Sequence, residues 1–130
     1  MEKLTSRKNE YIRALRRLSA EAQFRAERGE YICDGIKTLN EALAFGADVT
    51  SVLWKERAQP VPGLSCAVQY AAGEELFDYA SPMKNSPGPL FTVKIPSEDT
   101  AAPIRRAIVL ESVQDPGNVG TLLRSAAAFG

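Results

Sequence analysis

Apolar and polar residues follow two different periods along the chain, which predict helices and strands in turn. In residues 9–18 the apolar side chains recur at helical spacing and arginines occupy the opposite flank, which predicts an amphipathic helix. Ser19 is predicted to cap a second helix that Gly29 ends, and Asp34 to cap a third that Gly46 ends. Two further helical patterns cover residues 74–80 and 119–129.

Short runs of mostly apolar residues predict strands at 30–33, 49–54, 64–70, 90–95 and 106–113. Residues 81–89 contain three prolines, and proline lacks the N–H group that regular structure requires, so we predict a loop there. Strands that alternate with helices are typical of α/β proteins, and we expect mainly parallel pairing. The predicted fold class is therefore α/β.

Residues 96–103 have the composition of a linker. We predict a small α/β domain over residues 1–95 and the start of a second domain over residues 104–130. The second part holds one strand and one helix, and Gly130 is a residue type that usually ends a helix before the chain continues. Two arrangements are open: the last strand joins the sheet of the first domain, or the chain is cut early in a second domain. We favour the second arrangement.

Composition excludes several classes of site. The chain has 130 residues, of which 45% are hydrophobic and 25% charged, as expected for a folded domain. It has no histidine, which excludes Ser-His-Asp and Cys-His catalytic units and imidazole zinc sites, and we expect no metal. Cys33 and Cys66 form no C-x-x-C pair and are expected to be reduced thiols, with a disulfide as the alternative. We find no signal peptide and no apolar run near the ~20 residues that span a bilayer, so we expect a cytoplasmic protein without a membrane partner.

The net charge of zero hides an asymmetry. Residues 1–28 carry eight basic and four acidic side chains, so the remainder is acidic by the same amount. A basic segment on an acidic body is typical of a binding site for a polyanion. The alternative is a solvated helix face, on which Glu21 and Arg25 are spaced to form an ion pair.

The segment Ile108–Gly130 carries the most specific chemistry. A buried strand leads to a Pro-Gly turn, which is where open α/β sheets bind ligands. Asn118 is a good helix cap, and free N–H groups at a helix start attract anions. Arg124 lies one turn beyond Gly120 on a helix of otherwise small and apolar residues. The alternative is structural, with Asn118 as a plain cap and Arg124 reaching into solvent.

This segment resembles the first conserved motif of the SpoU (TrmH-like) RNA ribose 2′-O-methyltransferases of the SPOUT superfamily. The matching residues are Leu110, Val113, Gln114, Asp115, Pro116, Gly117, Asn118, Val119, Gly120, Arg124, Ala126 and Gly130. The upstream part is similar to the substrate-binding domain of that family, itself similar to kink-turn-binding ribosomal proteins, mainly through residues 25–35, 41–47 and 75–77. Two positions depart from the pattern: Asp34 stands where Glu is usual, and Ser86-Pro87-Gly88-Pro89 where Ser-Pro-Gln-Gly is usual.

The resemblance implies a ribosomal-protein-like substrate-binding domain followed by the first β-α unit of a knotted SPOUT domain. It implies methyl transfer from S-adenosylmethionine to a ribose 2′-hydroxyl of ribosomal or transfer RNA, by a parent protein that is a homodimer. Arg124 is then the catalytic arginine and Asn118 its companion. A guanidinium with a pKa above ~12 is a poor base, so we expect Arg124 to hold a phosphate and stabilise the developing alkoxide. The cofactor-binding residues are unknown and expected beyond Gly130, so we expect the 130-residue chain alone to be inactive.

The same resemblance makes structured RNA the partner of the first domain, recognised by its shape and backbone. The predicted phosphate contacts are Arg7, Lys8, Arg13, Arg16, Arg17, Arg25, Arg28, Gly35 and Lys37. A second hypothesis is a non-catalytic RNA-binding module, and a third is a plain structural domain. The retention of Asn118 and Arg124 favours the enzyme over both.

Overall fold

The structure is a computed structural model that describes residues 1–64, 67–98 and 100–130. It divides into two compact units, Met1–Ser97 and Glu98–Gly130. This division lies within the predicted linker, whereas the roles assigned to the two parts stay predictions. Ser65 and Cys66, within the strand predicted at 64–70, lie outside the described residues, and Cys33 is a free, half-buried thiol.

The first unit contains a mixed sheet with helices packed on it. The strands are β1 (Glu2–Leu4), β2 (Glu30–Asp34), β3 (Val49–Lys55), β4 (Val68–Ala72) and β5 (Leu90–Lys94). The helices are α1 (Glu10–Ala20), α2 (Ala22–Arg28), α3 (Ile36–Ala44) and α4 (Glu74–Ala80). The predicted α/β class is confirmed, and the short edge strand β1 is an element that the sequence pattern did not predict.

The strand order in the sheet is β1-β4-β3-β5-β2. β1 and β3 run parallel to β4, whereas β5 runs antiparallel to both β3 and β2. The expectation of mainly parallel pairing was therefore wrong. A helix between two consecutive strands indicates a parallel pair only where those strands are neighbours. Here β5 follows α4 by way of the irregular residues 81–89 and inserts beside β3 instead of β4.

The sheet buries apolar side chains on both faces. On one face Leu53 of β3 packs with residues of α1 and α4, such as Leu15 and Phe77. On the other face Val52 and Trp54 of the same strand pack in a second cluster that includes α3. Successive strand residues point to opposite faces, so α1 and α4 lie on one side of the sheet and α3 on the other.

Helix α1 agrees with its predicted pattern. Ile12, Leu15 and Leu18 are buried, and the side chain of Asn9 caps the helix by accepting hydrogen bonds from the N–H groups of residues 11 and 12. Burial of the apolar stripe leaves the arginines of the opposite flank in solvent. This arrangement is what an amphipathic helix requires.

The predicted start of the second helix was wrong. Helix α1 continues to Ala20, and the Ser19 hydroxyl donates to a carbonyl of α1 instead of capping α2. Glu21 forms its ion pair with Arg17, one turn before it, at 2.8 Å. Arg25 instead donates to carbonyl groups at the end of α1, because such carbonyls lack partners within the helix and attract a cation.

Asp34 does not cap the third helix. It is the last residue of β2, and its Oδ1 accepts a hydrogen bond of 2.6 Å from the Ser86 hydroxyl. Gly35 precedes α3 with a φ of 103°, and its N–H donates to the carbonyl of Pro89. The turn before α3 is thus hydrogen-bonded to the proline-rich loop. Local sequence does not reveal this long-range contact.

The second unit contains helix α5 (Pro116–Phe129). The predicted strand at 106–113 is not formed, and Val109 is 89% exposed. A strand requires a neighbour for its N–H and C=O groups, and among the described residues of Glu98–Gly130 there is no second strand to pair with it. The predicted cap is also wrong: Asp115 caps α5 by accepting from the N–H of Gly117, and Asn118 lies within the first turn.

Candidate nucleic-acid interface

The candidate interface of the first unit is the solvent face of α1 with its neighbouring basic residues, which we call the basic face. It consists of Arg7, Lys8, Arg13, Arg16, Arg17 and Arg28, all of them exposed. The buried stripe of α1 faces the sheet, so its arginines project away from the core. The structure therefore brings together six of the nine phosphate contacts predicted for this unit.

Three members of the basic face are paired with carboxylates. Arg7 pairs with Glu75 at 3.2 Å, and Arg28 with Glu30 at 3.3 Å. Arg17 makes two hydrogen bonds to Glu21, which raise the pKa of the arginine and lower that of the carboxyl group. Each pair cancels its own charge at short range, so these arginines contribute less to an anion-attracting surface than a residue count suggests.

The other three members of the basic face, Lys8, Arg13 and Arg16, have no carboxylate partner among the described residues. Their charges are exposed and uncompensated. Arg16 is also held in place, because its Nη1 donates to the carbonyl of Tyr79 at 2.6 Å. These three side chains therefore supply the net positive charge of the basic face, which attracts a polyanion.

The other three predicted contacts, Arg25, Gly35 and Lys37, are not members of the basic face. The half-buried Arg25 donates hydrogen bonds from its Nη1 to the carbonyl groups of Leu18 and Ser19, at 2.7 and 3.4 Å. Gly35 and Lys37 lie at the start of α3, on the opposite side of the sheet from α1. A single phosphate backbone that follows α1 would not reach α3, so Gly35 and Lys37 do not share one contact surface with the basic face, whereas Arg25 is set apart by its partial burial and its hydrogen bonds to α1.

Two aromatic residues of this surface were absent from the predicted set. The guanidinium carbons of Arg7 and Arg16 lie 4.4 and 4.1 Å from the ring centroid of Tyr79. Those of Arg17 and Arg28 lie 3.9 and 5.7 Å from the ring of Phe24. The i, i+4 spacing of Phe24 and Arg28 is a local signal that could have indicated one of these contacts. Nothing local relates Tyr79 to Arg16.

In the second unit, Asn118 and Arg124 are exposed on α5. Neither side chain has a hydrogen bond or ion pair within the part of the chain that the structure describes. All described residues of this unit are exposed except Val119 and Ala126, which are half-buried. A cofactor the size of S-adenosylmethionine needs most of its surface enclosed. The residues present do not form such an enclosure, so no catalytic step through that cofactor follows from them.

No protein-family model matches the chain. Two curated relatives align with nearly all of it. The chain is 27% identical to the 23S rRNA (guanosine(2553)-2′-O)-methyltransferase RlmP of Bacillus subtilis, over 100% of this chain and 52% of the relative. It is 32% identical to an uncharacterised tRNA/rRNA methyltransferase of Synechocystis, over 98% of this chain and 49% of the relative. The chain thus spans about half the length of the curated relatives it matches.

Solved structures that superpose on this chain are also those of methyltransferases. A TrmH-family protein of Porphyromonas gingivalis superposes with a TM-score of 0.70 at 27% identity, covering 98% of this chain and 49% of that one. The SpoU methyltransferase AviRb of Streptomyces viridochromogenes, solved with AdoMet, superposes with a TM-score of 0.74 at 22% identity, covering 95% and 51%. The fold is therefore that of RNA methyltransferases. The chain is homologous to those of the SpoU/TrmH type, as its motif residues predicted.

The structure contains no helix, among the residues it describes, that is long and apolar enough to cross a membrane.

Proposed function

We propose that this chain is the RNA-binding part, with the beginning of the catalytic domain, of a methyltransferase that transfers a methyl group from S-adenosylmethionine to a ribose 2′-hydroxyl of ribosomal or transfer RNA. The observation that carries the proposal is the similarity of nearly the whole chain to two curated rRNA or tRNA methyltransferases. The fold shared with an AdoMet-bound SpoU enzyme supports the same cofactor for the parent protein.

The proposal assigns the two units different roles. The domain over residues 1–95 is the kink-turn-binder-like substrate domain, residues 96–103 are the linker, and residues 104–130 begin the SPOUT domain. The exposed apolar residues of 104–130 support the last assignment, because Ile108, Val109 and Leu110 are exposed, as expected of a strand-forming run that has no neighbouring strand among the described residues of this unit. A homodimer formed by the complete SPOUT domain, in the cytoplasm, belongs to the same proposal.

RNA binds at the basic face, with Lys8, Arg13 and Arg16 as the principal phosphate contacts. The support for this is their exposure without a carboxylate partner among the described residues, together with the +4 charge of residues 1–28. An exposed guanidinium forms bidentate hydrogen bonds to phosphate. Fixed cations on a rigid helix favour a structured RNA, whose phosphates are themselves held at fixed spacing.

Catalysis is assigned to Arg124 with Asn118. An exposed guanidinium is well suited to hold an RNA phosphate and to stabilise the negative charge that develops on the attacking 2′-oxygen. Because the second unit does not enclose a cofactor, we expect no methyl transfer to RNA by the 130-residue chain with labelled S-adenosylmethionine. A native gene product well above 14.1 kDa in intact mass would agree with the parent enzyme, whereas one of that mass favours a non-catalytic RNA-binding module.

The RNA-binding part of the proposal is tested by the salt dependence of binding. The probe is a fluorescein-labelled RNA hairpin of about 16 base pairs, measured by anisotropy between low and physiological salt. Replacing Arg13 and Arg16 by Ala should lower the slope of log K against log salt by about 0.9 for each lost phosphate contact.

The matched control is the variant with both Arg17→Ala and Glu21→Ala. It removes an ion pair from the same helix without changing the net charge, so it should lower the affinity and the salt slope much less than Arg13→Ala/Arg16→Ala does. Absence of binding by the native chain, or equal slopes for Arg13→Ala/Arg16→Ala and the native chain, would overturn the assignment of the basic face.

A further inference from the structure

Tyr79 is the point at which two separate elements of the basic face meet. Arg7 comes from the segment between β1 and α1, and Arg16 from α1, whereas Tyr79 belongs to α4. Both guanidinium groups stack on its ring, within 4.4 Å of one centroid. The carbonyl of Tyr79 also accepts a 2.6 Å hydrogen bond from Nη1 of Arg16. One residue thus fixes Arg16 by two contacts of different kinds.

These contacts orient Arg16 without neutralising it. A ring interacts with the face of a guanidinium, and a carbonyl occupies one N–H group. The remaining in-plane N–H groups stay available to a phosphate, and no carboxylate pairs with Arg16 among the described residues. An arginine that is already ordered loses less side-chain entropy when it binds than a free arginine does.

Phe24 provides the contrast within the same surface. It also stacks with two guanidinium groups, those of Arg17 and Arg28. Both of these arginines are paired with carboxylates, Glu21 and Glu30. The geometry around the two rings is similar, but only the ring of Tyr79 holds an arginine whose charge is uncompensated.

We infer that Tyr79 is a positioning residue of the basic face, which holds Arg16 in the orientation that contacts a phosphate of structured RNA. This inference rests on the proposed function, because it presupposes that the basic face binds RNA. It adds a residue outside the basic segment, from α4, to the recognition surface. It also assigns Phe24 a structural role only.

The test compares Tyr79→Leu with Phe24→Leu in the full chain, using the labelled RNA hairpin. Both substitutions remove a ring that stacks on two arginines and keep an apolar side chain. We expect Tyr79→Leu to weaken binding by about two- to tenfold, as for releasing one ordered side chain, and Phe24→Leu to leave it unchanged. Tyr79→Phe retains the ring and the backbone carbonyl and should bind with native affinity.

Two readouts separate positioning from a general loss of structure. Tyr79→Leu leaves the charge of Arg16 in place, so it should lower the salt slope less than Arg16→Ala, which removes the phosphate contact altogether. In the Arg16→Ala background, Tyr79→Leu should have much less effect than in the native chain, because the residue that it positions is gone.

The outcomes also distinguish this inference from the function on which it rests. If the native chain does not bind the hairpin, the proposed function fails. If the native chain binds and Tyr79→Leu binds equally well, or if Phe24→Leu weakens binding as much, the basic face stands and the positioning role of Tyr79 is overturned. An equal loss for Tyr79→Leu with and without Arg16 would also overturn it.

Discussion

We predict that replacing Gly88, in the loop that precedes β5, by Ala destabilises the first unit. A methyl group at this position would lie 2.7 Å from Cζ and 3.0 Å from Cε2 of Phe77. Phe77 is fully buried between α4 and the sheet, so the ring has little room to move and overpacking costs ~1–3 kcal/mol. The φ of Gly88 is 73°, a left-handed conformation that costs an L residue a further ~1–2 kcal/mol. Gly88→Ala should therefore lower the free energy of unfolding by about 2–5 kcal/mol.

The matched control is Gly29→Ala. Gly29 also has a left-handed φ, of 65°, but nothing lies within 4 Å of a Cβ built there. Only the cost of the left-handed backbone applies, so Gly29→Ala should lower the free energy of unfolding by about 1–2 kcal/mol. The difference between the two variants isolates the contact with Phe77.

The assay is urea unfolding followed by the fluorescence of Trp54, the single tryptophan, which is 2% exposed in the core of the same unit. In a Phe77→Leu background, Gly88→Ala should lower the free energy of unfolding by less than it does in the native chain, because the ring that the methyl group meets is gone. Equal losses for Gly88→Ala and Gly29→Ala would refute the argument, since the close approach of Phe77 would then carry no cost.

Three further predictions concern stability. Arg25→Met should lower the free energy of unfolding by about 1.5–3 kcal/mol, because the carbonyl groups at the end of α1 lose a charged hydrogen-bond donor. The same variant should bind RNA with native affinity, because Arg25 is used within the fold. Tyr11→Phe should lower the free energy of unfolding by about 1 kcal/mol in the same urea assay, because it removes the hydroxyl that donates to Ser51 at 3.0 Å. Burial raises the pKa of Tyr11, so this hydroxyl keeps its proton and remains a donor. Burial also raises the pKa of the Cys33 thiol, so the folded state retains this proton at a pH where the unfolded chain has lost it. The resulting stabilisation is present below about pH 8.5 and is lost as pH rises through the folded pKa. Unfolding measured from pH 7 to 10 should therefore show a steeper decline for Cys66→Ser than for Cys66→Ser with Cys33→Ala.

The sequence by itself determined the local features of this protein. The apolar period of residues 9–18 sufficed for α1, because an amphipathic helix buries its stripe on whatever surface covers it. Helix α4 was predicted with its observed bounds, Glu74–Ala80, and the three prolines of 81–89 excluded regular structure. The motif around Asn118 and Arg124 identified the relatives, because it depends on residue types in one short segment.

Tertiary structure decided which distant residues meet. The antiparallel insertion of β5 beside β3 depends on contacts between segments about 40 residues apart, for which no local period exists. The strand predicted at 106–113 shows the same limit, since an apolar run forms a strand only where another strand satisfies its backbone. The basic segment was visible in the sequence, but its division into paired and unpaired arginines was not. Glu75 and Tyr79 reach Arg7 and Arg16 only because α4 packs beside α1 on one face of the sheet.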